Sequence, residues 1–125
     1  MMGSKYHNLK TRVSNGRIAD SRKEARRYEE LLLLQRAGRI SNLRTQVPYE
    51  LIPAQYETYE RYGKNGNRLK DGIKLVERAV NYVADFVYLE GDKLVVEDTK
   101  GVRTPDYIIK RKLMLHIHGI RIQEI

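Results

Sequence analysis

Val80-Asn-Tyr-Val-Ala-Asp-Phe-Val-Tyr-Leu-Glu-Gly-Asp-Lys-Leu-Val-Val-Glu-Asp-Thr-Lys100 is the stretch whose reading decides the fold. Val80 to Leu89 is rich in β-branched and aromatic residues, as a buried strand is. Glu90-Gly91-Asp92 reads as a turn, and Lys93 to Thr99 as a second strand. So short a link predicts an antiparallel hairpin. One residue does not suit an apolar strand: Asp85, between Ala84 and Phe86. A charge there is costly unless something compensates it.

Strand side chains alternate, so Asp98 and Lys100 share one face while Glu97 and Thr99 take the other. In the direct register the hairpin brings Asp85 beside Asp98. Two carboxylates held together repel each other, and a divalent cation resolves that repulsion. Mg²⁺ (or Mn²⁺) with hard oxygen ligands and retained waters suits such a pair. A lysine beside them can contact a phosphate. Together these groups predict phosphodiester hydrolysis, in which a metal lowers the pKa of a bound water and, with Lys100, stabilises charge building on phosphorus. Two plainer readings remain open. Asp98 and Lys100 can be a surface ion pair, and Glu97 can be the ligand if the strand is bulged.

Outward from the hairpin, the other elements frame an α/β domain. Ser21 to Ala37 reads as a helix, with Ala25, Tyr28, Leu31, Leu32 and Gln35 at helical spacing and Gly38 as its stop. Ser21 with Glu24 fits an S-x-x-E capping box, so Glu24 is either a cap or a site carboxylate. Leu43 to Pro53 is a first strand with Val47, Tyr49 and Leu51 alternating, and Pro48 points to an edge position. Residues 55–76 hold Tyr56, Tyr59 and Tyr62 among Arg61, Lys64, Arg68, Lys70 and Lys74, and read as a basic loop or flexible hairpin. After Pro105, Asp106 to His116 is a basic helix carrying Lys110, Arg111 and Lys112, with Tyr107, Ile109, Leu113 and Leu115 as apolar contacts. Ile120 to Ile125 is a last strand. His116 and His118 have no third ligand near them and read as solvated. The order helix, strand, strand, strand, helix, strand predicts one mixed sheet flanked by helices.

Composition narrows the function classes. With 125 residues the chain suits a single domain, here 20–125, preceded by a flexible basic arm over 1–19. Without cysteine it has no disulfide, thiolate metal site or cysteine nucleophile. Its longest apolar run, Leu31 to Leu34, cannot span a bilayer, and its polar start lacks a signal-peptide core. A cytoplasmic protein that does not engage membranes is expected. The net charge of +8 favours a polyanionic partner, nucleic acid above all.

These residues resemble the PD-(D/E)XK nuclease superfamily, whose signature is an Asp on one strand and D/E-x-K on the next. Asp85 and Asp98-Thr99-Lys100 match it, although Ala84 stands where the signature has proline. Ser21 to Leu31 (SRKEARRYEEL), Tyr82-Val-Ala-Asp-Phe86 and Glu97-Asp-Thr-Lys-Gly101 also resemble a phage and prophage family known as domain of unknown function 1064. The resemblance implies a restriction-endonuclease-like αβββαβ core. It implies metal ligation by Asp85, Asp98 and the Thr99 backbone carbonyl, with Glu24 added from the first helix. Gln46 is similar to a glutamine found ahead of the first strand's apolar run in several relatives. Arg103, Lys110, Arg111, Lys112, Lys64, Arg68, Lys70 and Gln46 would then meet DNA. The activity implied is a structure-selective endonuclease similar to Holliday-junction resolvases, for which a homodimer follows from cutting two strands. Another nuclease of this fold, or a catalytically silent DNA-binding or assembly module, are the alternatives.

Overall fold

The computed structural model describes residues 15–100 and 102–125, with side chains from Ser21 onward. Residues 1–14, most of the expected arm, and Gly101 of the E-D-x-K-G string lie outside the described residues. The elements in order are α1 (Asn15–Arg36), β1 (Ser41–Ile52), β2 (Gln55–Tyr59), β3 (Gly72–Glu77), β4 (Val80–Glu90), β5 (Lys93–Asp98), α2 (Pro105–His118) and β6 (Gln123–Glu124). A four-stranded mixed sheet has the order β1-β4-β5-β6. β1 and β5 pair antiparallel to β4, and β6 pairs parallel to β5. This is the expected α/β core.

Two helices cover opposite faces of the sheet. On one face Leu31 of α1 packs with Ile40, Phe86, Tyr88 and Val95. Tyr28 stacks on the Phe86 ring at 6.0 Å. On the other face Tyr107 and Met114 of α2 pack with Leu51, Tyr82, Ala84, Val87, Val96 and Ile122. α1 ends at Gly38, whose φ of 77° is the left-handed conformation that closes a helix. The Arg39 N–H then reaches back to the Leu34 carbonyl at 2.9 Å. α2 is capped by Thr104, whose side chain accepts from the Tyr107 N–H, with Pro105 in its first turn.

Several expectations are corrected. α1 begins at Asn15, so residues 15–19 are helical and Ser21 is not an N-cap. Its buried hydroxyl has no hydrogen-bond partner among the described residues. The last strand shortens to Gln123–Glu124. On α2, Ile109 and Leu115 are exposed, and Met114 takes the core position with Tyr107. A spacing of seven residues returns to the same helix face, whereas Ile109 falls on the opposite face and Leu115 to one side. Pro48 sits in the edge strand β1, where a missing N–H is tolerated.

Residues 55–77 take the hairpin form rather than the loop. β2 and β3 form a separate antiparallel ribbon that joins no strand of the main sheet. Among the described residues, no helix is long and apolar enough to cross a membrane.

Candidate active site

The hairpin register pairs Phe86 with Glu97, Val87 with Val96 and Tyr88 with Val95. The ladder stops at Phe86–Glu97; one step further in the same register, Asp85 stands across from Asp98. There the two strands part. In place of a backbone acceptor, the Asp85 carboxylate takes the Thr99 N–H and the Thr99 hydroxyl on Oδ2, both at 2.9 Å.

The sheet also changes face at this point. Tyr82, Ala84, Phe86 and Tyr88 are spaced two apart and should share a face. Instead Tyr82 and Ala84 join the core under α2, while Phe86 and Tyr88 join the core under α1. β1 does the same: Leu43 packs toward α1, and Val47, Tyr49 and Leu51 toward α2. The residues at the two switches are Asp85 and Gln46, which lie opposite each other in the β1–β4 register. Gln46 has φ of 52°, a left-handed conformation that is costly for a residue with a side chain. The switch lets side chains from both layers meet at one place.

From the α1 layer comes Glu24, 6% exposed. The Gln46 amide Nε2 donates to its Oε2 at 2.9 Å and lies 3.5 Å from Oδ1 of Asp85. Glu24 therefore lies inside α1 rather than at its N-terminus, and the Gln46 amide links it to Asp85. From the α2 layer comes Asp98, 2% exposed. Its Oδ2 accepts from the Tyr82 hydroxyl at 2.7 Å and its Oδ1 from the Lys100 N–H at 2.8 Å. Burial pushes the Asp98 carboxyl above the usual range, the Tyr82 bond opposes this, and the Asp85 charge adds to it. Burial and the bond to Asp98 in turn raise the Tyr82 hydroxyl. Lys100 is exposed, with its Nζ 5.2 Å from the centre of the Tyr107 ring. That is cation–π distance.

Glu97 does different work. It points to the α1 face, is fully buried, and receives Nε of Arg27 at 2.9 Å and Nη2 at 2.6 Å. Tyr88 also donates to it. This two-pronged pair holds the Arg27 guanidinium well above its usual pKa. The Arg27 and Tyr88 bonds make Glu97 a structural tie between α1 and β5.

Of the expected DNA-facing cations, Arg103 and Arg111 meet at Glu124, the residue paired with Asp98 across β5 and β6. Arg103 binds Glu124 at 2.7 Å and Arg111 lies 3.5 Å from the same carboxylate. Tyr107 also donates to it, at 2.8 Å, and that bond together with both arginines lowers the Glu124 carboxyl. Lys112 is exposed on α2, Lys110 is half-buried, and Lys64, Arg68 and Lys70 stand on the separate ribbon. Tyr82, Tyr107 and Arg27 escaped sequence reasoning as site or support residues. Tyr82 lies in the quoted Tyr82-Val-Ala-Asp-Phe86 string, and its hydroxyl near a buried carboxylate was the available signal. Arg27 and Glu97 are 70 residues apart, with no local mark of their pairing.

The site's donors suit a hard cation. Among the described residues no three Asp, Glu, His or Cys side chains gather into a metal-holding group. Mg²⁺ does not need such a cage, since it keeps several waters and binds through one or two carboxylates. Asp85 and Asp98 are oxygen donors of that kind, and among the described residues Oδ1 of Asp85 has the long Gln46 contact alone.

A family described as "Protein of unknown function (DUF1064)" matches residues 3–123. The chain belongs to this family. No curated protein and no solved structure matches it. Within this DUF1064 chain, Asp85, Asp98 and Lys100 lie where the sheet changes face, with Glu24 and Gln46 completing the cluster.

Proposed function

We propose that this DUF1064 chain is a metal-dependent DNA endonuclease of PD-(D/E)XK type, acting on branched or otherwise structured DNA. The observation that carries the reading is the placement of Asp85 across from Asp98 where β4 and β5 part, with Lys100 on the same face two residues on. Asp85, Asp98 and the Thr99 carbonyl would hold Mg²⁺ or Mn²⁺. The metal, when bound, would supply Lewis-acid activation of the phosphoryl oxygen and of a water.

The chain's own residues have separable tasks. Thr99 fixes one oxygen of Asp85, and the Gln46 amide spans Glu24 and Asp85, so the acidic side chains are oriented before substrate arrives. Glu24 can hold a water on the α1 side. Lys100, exposed and steadied by the Tyr107 ring, can reach a phosphate oxygen and stabilises the charge that develops during in-line attack. No helix-turn-helix or zinc finger is present among the described residues. Selection would rest on backbone contacts and DNA shape rather than base edges. A phage origin, a cytoplasmic location and a homodimer belong to the same reading.

A second reading is a DNA-binding or assembly module without catalysis. One observation favours it: both oxygens of Asp98 and one of Asp85 already accept bonds from protein donors. Incubation of linear, nicked and four-way DNA with Mg²⁺, Mn²⁺ or EDTA decides. Metal-dependent cleavage, strongest on branched DNA, is expected; binding without cleavage under every condition would select the second reading.

A further inference from the structure

The β2–β3 ribbon is an ordered projection with a basic tip. Its pairing continues past the named strands: the Leu69 N–H donates to the Arg61 carbonyl at 2.9 Å, and Tyr62 bridges to Arg68. The Gly63 N–H donates to the Asn67 carbonyl at 2.8 Å, and the Gly66 N–H to the Gly63 carbonyl at 3.0 Å, closing the tip. Gly63 is packed so tightly that an added Cβ would meet Oδ1 of Asn67 at 2.4 Å. Arg68 is held by Asp71 at 2.7 Å and lies 5.8 Å from the centre of the Tyr62 ring. From Arg61 to Lys70 the tip carries Arg61, Lys64, Arg68 and Lys70, all exposed, while the flanking carboxylates Glu60 and Asp71 are taken by the Tyr62 hydroxyl and by Arg68.

Its place in the fold relates it to the site. β5 ends at Asp98, across from Asp85, whereas β1 runs on from Gln46 to Ile52 and β4 starts back at Val80. Both lead into the ribbon, through Pro53-Ala54 and through Arg78-Ala79. The ribbon thus leaves the sheet from the end that lies beyond the site. From Gln55 to Lys64 it spans roughly 30 Å at the ordinary strand rise. The site lies further back still, at Gln46 and Asp85, so the strand from site to tip is longer than the ribbon alone, and a two-stranded ribbon fits a major groove of about 12 Å.

We propose that this ribbon is a duplex-DNA arm, whose tip at residues 61–70 enters the groove of the same duplex beyond the phosphate held at the Asp85–Asp98 site. The proposal rests on the reading of that site as a DNA phosphodiester site. The tip's charge supplies phosphate contacts, and its ordered backbone sets their distance from the cut.

The test uses the full chain and its Lys64→Ala/Lys70→Ala variant, in EDTA so that no cleavage intervenes. Fluorescence anisotropy against salt is read on 10-bp and 30-bp duplexes and a 30-nucleotide single strand. Two lost phosphate contacts should lower the log–log salt slope on the 30-bp duplex by about 1.8 and weaken binding roughly 10- to 30-fold near 0.15 M salt. Binding to the 10-bp duplex, too short to meet site and tip together, should not change. Wild-type affinity and slope for the variant on the 30-bp duplex would overturn the proposal, and so would equal losses on both duplexes or on the single strand. The wild-type chain's cleavage in Mg²⁺ is scored separately. If it cuts nothing but the length-dependent loss is seen, the arm stands and the nuclease reading falls.

Discussion

Thr99 gives both its backbone N–H and its hydroxyl to the same oxygen of Asp85, each at 2.9 Å. The end of β5 therefore grips β4 through a side chain, at the place where the backbone ladder stops. One Asp85 oxygen is immobilised and the other is turned toward Gln46. Thr99→Val keeps the buried shape but removes the hydroxyl donor. A loss of about 1 kcal/mol in stability is expected, with a several-fold rise in the Mg²⁺ concentration for half-maximal cleavage. Thr99→Ser should restore the metal response. Urea denaturation and a Mg²⁺ titration of cleavage check both.

Asp98 should cost the fold stability at neutral pH. Its carboxyl is raised by burial first, with the Tyr82 bond lowering it and the Asp85 charge raising it further. A carboxyl whose folded pKa exceeds its unfolded value favours folding most when protonated. That stabilisation is complete below the unfolded pKa and is lost as pH rises through the folded one. Asp98→Asn should therefore melt above wild type at pH 7, with the difference closing as pH falls from the raised folded value to the ordinary aspartate range, and constant below it. The same variant should bind DNA as well as wild type or better, and cut it at no measurable rate. Asp85→Ala should likewise abolish cleavage and leave binding intact. Cleavage by folded Asp98→Asn at the wild-type rate would remove it from the site.

Arg27 and Glu97 form a tie whose loss is structural. Glu97 has no exposure, and Arg27 is its two-pronged partner. Arg27→Met leaves a buried carboxylate with only the Tyr88 hydroxyl. A loss on the order of 3 kcal/mol is expected, seen as a lower urea midpoint. Glu97→Gln with Arg27→Met should recover part of it. At temperatures where the variants stay folded, the Mg²⁺ dependence of cleavage should match wild type; a changed metal response would make Glu97 a ligand after all.

Lys100 and Glu24 should fail differently. Lys100→Ala removes an exposed ammonium that acts on the developing charge, so turnover should fall by about 100-fold or more with the Mg²⁺ midpoint unchanged. Glu24→Gln keeps an acceptor for the Gln46 amide and removes only the charge. Because Glu24 caps no helix, its loss should appear in activity and Mg²⁺ dependence with melting temperature nearly constant. Near-normal cleavage at all Mg²⁺ concentrations would leave Asp85, Asp98 and Lys100 as the whole site.

Local pattern determined much of this chain. The alternation of β-branched and aromatic residues marked β4 and β5, and the short link between them an antiparallel pairing; the structure makes that link the two residues Gly91-Asp92, with Glu90 opposite Lys93, which is the register that brings Asp85 across from Asp98. With that register the juxtaposition of Asp85 and Asp98, and the shared face of Asp98 and Lys100, followed from a period of two. Gly38 and Pro105 marked helix limits because φ preferences are local. Other features depended on residues far apart in sequence. The start of α1 was misread because a Ser-x-x-Glu pair has the same appearance inside a helix as at its end. The ribbon was legible as a basic loop or flexible hairpin but not as an ordered one, since cross-strand pairing sets whether such a segment is ordered. Period-two reasoning cannot foresee the face switch at Gln46 and Asp85, because a break in the pleat comes from two strands adjusting together. That switch, with the Arg27–Glu97 tie and the Tyr82–Asp98 bond, is tertiary. It brings Glu24 from one layer to the aspartates of the other, and only packing of both helices on the twisted sheet could decide it.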